Sequence, residues 1–118
     1  MRASRAGARI RSMGSWLRRM DEATRARYDE VVDIYGWLGA FTATLDPERD
    51  EDLQADLFYI DSMVAGWIAP SQFENAKVPG TVLEAIAAAQ SNRRASRSTP
   101  APEELWRRLQ RLQALAST

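Results

Sequence analysis

Cysteine and histidine are both absent from this 118-residue chain. Without cysteine there is no disulfide framework, no thiolate metal site and no thiol nucleophile; without histidine the usual zinc ligand and the usual general base are missing. No phosphate loop, dinucleotide fingerprint or nucleophile triad stands in for them. The expectation is a protein that is not an enzyme and that holds no cofactor and no metal. Long apolar runs are missing as well. Nothing approaches the ~18 consecutive residues a membrane-spanning helix needs, and the N-terminus lacks the continuous apolar centre of a secretory signal. No membrane span is expected, and the lack of cysteine agrees with a cytoplasmic location. Lysine is reduced to Lys77 against fifteen arginines, a ratio that a GC-rich genome explains as well as guanidinium chemistry does.

What the chain does have is helical periodicity. Hydrophobic residues make up 45% of it, enough to build a core in one small domain. Tyr28, Val31, Tyr35, Leu38, Thr42 and Leu45 recur at three and four, with Val32, Trp37 and Phe41 widening the stripe. Leu53, Leu57, Ile60, Val64 and Trp67 repeat the pattern, with Phe58, Met63 and Ile68 broadening it. Between them lies the acidic turn 45–52, in which Asp46 suits an N-cap, Pro47 suits the first helical turn, and the carboxylates favour the positive end of the second helix. A connection this short predicts an antiparallel hairpin. The first helix meets no proline from Trp16 onward, so it is expected to start near Gly14–Ser15 and run about 30 residues, on the order of 45 Å. Gly36 and Gly39 each cost a helix roughly 1 kcal/mol relative to alanine, which predicts close packing of another element there.

Pro70 ends the second helix, and Phe73 is expected to plug the end of the bundle. Thr81-Val82-Leu83-Glu84 reads as a capping box opening a helix over 82–90. Residues 91–102 are polar and end in Pro100-Ala101-Pro102, the composition of a linker. Beyond it, Glu103 to Leu115 form a short amphipathic helix with acids first and arginines later, the order its dipole favours. The fold expected is all-α: a helical hairpin or small helical bundle over 15–90, preceded by a basic N-terminal arm over 1–14. A flexible linker over 91–102 then tethers a docking helix over 103–118.

Charge is distributed in blocks. Residues 1–20 carry six arginines and no acid, a charge of +6, while residues 21–84 carry −10 and residues 85–118 carry +4. Such basic ends either fold back on the acidic middle or seek an external anion such as nucleic acid. Ile10 and Met13 of the N-terminal arm, with Leu17 and Met20 beyond it, recur at three, four and three, so a helix there would carry an apolar strip flanked by arginines. The composition is also that of a transit peptide or of a helix lying on an anionic membrane; a basic arm docking on something acidic is the simpler reading.

For the C-terminal helix, Trp106, Leu109, Leu112 and Leu105 are the expected partner-binding anchors. Arg93, Arg94 and Arg97 in the linker and Arg107, Arg108 and Arg111 on the helix would meet an acidic surface or nucleic acid. The same helix could instead fold back on its own hairpin. Asp46-x-Glu48-x-Asp50 starts like a calcium loop, but Glu51 stands where glycine is needed and Leu57 where a closing glutamate is needed. The function expected is therefore a non-enzymatic protein–protein binding, assembly or regulatory subunit, partnered by another protein or by copies of itself. A nucleic-acid-contacting accessory subunit is the alternative.

Overall fold

The computed structural model describes residues 20–95 and 102–117. Four helices follow one another: α1, Glu22–Thr42; α2, Glu51–Ile68; α3, Val78–Ala95; α4, Glu103–Ala116. No strand occurs among the described residues, so the architecture is all-α.

Long-range contacts set the direction of each helix. Tyr28, near the start of α1, donates its hydroxyl to the carbonyl of Ile68 at the end of α2 at 3.0 Å. Asn92, near the end of α3, donates to both carboxylate oxygens of Asp56 in the first half of α2 at 3.1 and 3.0 Å. Gln90 of α3 meets Gln113 of α4, and Arg93 lies over Trp106. Arg111 of α4 pairs with Glu30 of α1. Each pairing is antiparallel, and α1 packs on α2, α2 on α3, α3 on α4 and α4 on α1. The result is an up-down-up-down bundle of four helices.

All four helices contribute to one core. Val31, Ile34 and Leu38 of α1 meet Leu57, Ile60, Val64 and Trp67 of α2, Val82 and Ile86 of α3, and Leu105, Leu109 and Leu112 of α4. Full burial of such a side chain contributes about 1.5–3 kcal/mol. The end of the bundle near Pro70 is closed by Phe73, which stacks on Trp67 at 4.9 Å between ring centroids and meets Tyr28 edge-on at 5.1 Å. The Trp67 indole N–H donates to the Phe73 carbonyl at 3.1 Å. To bring Phe73 under the bundle, Ser71 takes the left-handed conformation at φ 68°, a strain of roughly 1–2 kcal/mol for a residue with a Cβ.

The element boundaries correct the sequence expectation in several places. α1 starts at Glu22, because the Asp21 carboxylate caps it by accepting from the Thr24 N–H at 2.7 Å. The continuous helix expected from residue 15 is thus interrupted, and residues 1–19 lie outside the described residues. Asp46 does cap with its side chain, accepting from the Glu48 and Arg49 N–H groups, but the turn it caps precedes α2, whose regular ladder begins at Glu51. The capping box at Thr81 is not formed. α3 already begins at Val78 with Pro79 in its first turn, where no N–H is needed, and the Thr81 hydroxyl donates to the Val78 carbonyl at 2.8 Å. α3 also continues to Ala95, five residues into the expected linker; Asn92 and Arg93 both gain partners by staying helical. Residues 96–101, the rest of that linker, lie outside the described residues. Gly36 and Gly39 face open space rather than a packed neighbour.

Candidate functional site

The apolar stripe expected to bind a partner lies inside the molecule. Leu105, Leu109 and Leu112 have no exposed surface and Trp106 keeps 6% of its own. These four residues form the α4 wall of the core, and the face expected to dock in trans is closed in cis. The physical reason is visible in the hairpin. The stripes of α1, α2 and α3 leave one side of the core open, and α4 is the amphipathic element that covers it.

The arginines of the helix stay at the surface and pair there. Arg111 grips the Glu30 carboxylate with two N–H groups, a fork-on-fork pair in which Nη2 lies 2.8 Å from Oε1. That hydrogen bond, reinforced by the positive charge, holds the Glu30 carboxyl below its ordinary value. Arg107 and Arg108 pair within α4 with Glu104 at 3.2 and 2.9 Å, and Arg108 also lies over Trp37 at 5.0 Å. Arg93 lies over the Trp106 ring at 4.5 Å. Arg94 lies within α3, but its side chain is outside the described residues, as is Arg97. Four of the six arginines assigned to an acidic surface or nucleic acid thus have partners in their own chain. A groove of about 290 Å³ opens between α1 and α4, lined by Glu30, Asp33, Ile34, Glu104, Arg107, Arg108 and Arg111. Its three arginines face three carboxylates, so it carries no net charge with which to select a ligand.

The acidic turn is similarly self-contained. Asp46 accepts two backbone N–H groups, and Asp50 accepts the Asp46 N–H at 3.1 Å and pairs with Arg49 at 3.1 Å. These bonds lower both carboxyl pKa values. Among the described residues no group of three or more acidic side chains is arranged to hold a metal ion.

Among the described residues, the outer side of α2 carries apolar surface that the bundle leaves uncovered. Phe58 and Tyr59 keep 55% and 53% of their surface exposed, the large hydrophobic side chains left outside among the described residues. The sequence reading assigned Phe58 to the buried stripe. At ~100° per residue, however, it lies ~160° around the helix from the buried Ile60. Beside the aromatic pair, Ala55, Ser62 and Gly66 are small and exposed. α2 carries Glu51, Asp52, Asp56 and Asp61 and no base. Asp61 keeps one buried carboxylate oxygen without a hydrogen-bond partner, and desolvation raises its pKa. The signal was present in the sequence as two adjacent aromatics, one of which had to lie off the stripe.

The chain matches no family model, no curated protein and no solved structure. Among the described residues no helix is long and apolar enough to cross a membrane.

Proposed function

We propose that this bundle is a non-enzymatic protein-binding subunit whose contact surface is the outer side of α2, with Phe58 and Tyr59 as its anchors. The observation that carries this reading is the half-exposed aromatic pair on a helix without bases, whereas the other large hydrophobic side chains among the described residues are buried or partly buried. An exposed aromatic side chain in water gives up hydration cost when covered, and tyrosine is favoured at contact centres because it loses little conformational freedom. The small residues beside the pair allow a partner backbone to approach, and the acids favour an arginine- or lysine-bearing segment by steering its encounter. A contact of this kind suits assembly into a larger complex. Nucleic-acid binding has less support, since Arg93, Arg107, Arg108 and Arg111 are already engaged and the described residues carry nine bases against sixteen acids.

The test is affinity capture of the tagged full chain from its native source after nuclease treatment, beside a Phe58→Ser/Tyr59→Ser variant with matched unfolding. Partner proteins retained by the native chain and lost by the variant are the expected result. Equal capture by both contradicts the assignment, and capture abolished by nuclease restores the nucleic-acid reading.

A further inference from the structure

Resting on the reading of α2 as a contact surface, we infer that its occupant is an amphipathic helix of a partner protein. That helix lies antiparallel to α2, with one turn held between Phe58 and Tyr59 and with arginine or lysine in its own last turn.

The shape of the surface follows from where side chains leave α2. At ~100° per residue, counted from Phe58, Ser62 lies at ~40°, Ala55 at ~60°, Gly66 at ~80° and Tyr59 at ~100°. The two half-exposed rings therefore flank a strip of three small residues, all of them exposed. The strip is low as well as apolar. A Cβ added at Gly66 would meet nothing within 4 Å, and the Ser62 hydroxyl turns back to donate to the Phe58 carbonyl at 3.0 Å. From Ala55 to Gly66 the strip runs ~16 Å, about three turns of helix. A low strip of that length beside two rings fits the ridge of another helix, because small residues let two helix backbones approach to the short end of the usual range of roughly 8–10 Å. A partner helix reads such a face through apolar residues spaced at three and four.

Charge selects the partner and its direction. Glu51 and Asp52 are exposed at the start of α2 and lie at ~20° and ~120° on the same scale, one toward each side of the strip. α2 has no base to answer them, so a second copy of α2 is not the complement of this face. A helix carries lysine and arginine most favourably in its last turn, at the negative end of its own dipole. Laid antiparallel on α2, that last turn meets Glu51 and Asp52, and the two helix dipoles oppose one another. The rings then supply the buried anchors and the carboxylates fix the orientation.

The test is a selection of displayed random peptides of about 16 residues, long enough to span the strip as a helix. The tagged full chain is the target and its Phe58→Ser/Tyr59→Ser variant the counter-selection. The peptides enriched should carry apolar residues at three- and four-residue spacing and lysine or arginine in the last turn, and should gain helical circular dichroism on binding. Their affinity, read by fluorescence anisotropy, should fall about tenfold or more with Gly66→Leu and with Glu51→Lys/Asp52→Lys, and should be kept by Gly66→Ala. Gly66→Leu adds its bulk in open space, so it fills the strip while matched unfolding shows that the bundle is intact. A nitroxide at the C-terminal end of the bound peptide should broaden the amide signals of Glu51 and Asp52 and spare Gly66.

Enrichment of proline-rich or acidic peptides, no enrichment over the counter-selected variant, or binding indifferent to Gly66→Leu overturns the proposal. So does broadening at Gly66 in place of Glu51. Self-association of the chain that sedimentation shows to be lost in Phe58→Ser/Tyr59→Ser also overturns it, since the occupant is then a second copy. Each of these results leaves the capture comparison with Phe58→Ser/Tyr59→Ser untouched, whereas equal capture there removes the contact surface itself, so the two readings fail separately.

Discussion

At the scale of single residues, helical spacing identifies which positions can share a face, and packing decides which face is used. Gly36 shows the difference. Its cost in a helix predicted a close neighbour, yet a Cβ built there meets nothing within 4 Å. Gly36→Ala should therefore gain the helix-propensity difference without a steric penalty, stabilising the fold by roughly 0.4–1 kcal/mol. Chemical denaturation of the two proteins measures this directly, and a destabilised alanine variant would mean that something does sit against that position. Phe58 and Leu57 make the complementary point. They are neighbours in the chain, and one is buried while the other is half exposed. Both are apolar, so only the helical angle separates them.

At the scale of elements, the two halves of the molecule were legible to different degrees. The core of α2 could be read because Leu57, Ile60, Val64 and Trp67 repeat without interruption, and that of α1 was read at Val31, Leu38 and Thr42 but with Tyr35 in the place that Ile34 takes; Phe73 was recognisable as an end plug because it follows a helix-ending proline. The helix starts were less legible. A capping box at Thr81 pointed to a start at residue 82, yet the helix begins at Val78 with Pro79 in its first turn. The destination of α4 was not decidable from its own residues, because an amphipathic stripe is equally suited to its own bundle and to another molecule. The arginines do not decide it either, since Arg111 could serve an external anion as well as Glu30.

The Glu30–Arg111 pair is the polar link between α1 and α4, and its pH dependence follows from the depressed Glu30 carboxyl. A carboxyl whose folded-state pKa lies below its unfolded value contributes stability above the unfolded value and loses that contribution as pH falls through the folded one. Glu30→Gln should therefore unfold slightly earlier than the native chain at neutral pH, and the difference should close in acid. The effect is small because the pair is largely solvent-exposed. Thermal unfolding of both proteins across the carboxylate range tests this, and a difference that persists unchanged in acid would exclude the pair as its source.

At the scale of the whole molecule, the charge blocks and the core describe the same design. Arg111 of α4 meets one carboxylate of the acidic middle, Glu30, and the open side of a three-helix core is met by the leucines of the same helix. Closing that side in cis buries the leucine stripe of α4, while among the described residues Phe58 and Tyr59 stay half exposed on α2, a helix that carries acids and no base. The assignment of function to α2 thus depends on α4 being a wall of the bundle.

The measurement that tests this most directly is the unfolding of a chain truncated before residue 99, which lacks α4. With Leu105, Leu109 and Leu112 gone from the core, the account predicts a large fall in the transition midpoint and loss of a single cooperative transition, since each buried leucine contributes about 2–5 kcal/mol when its space is left empty. A truncated protein that unfolds like the native chain would contradict it, because α4 would then be a separate docking element and the contact surface would have to be sought there.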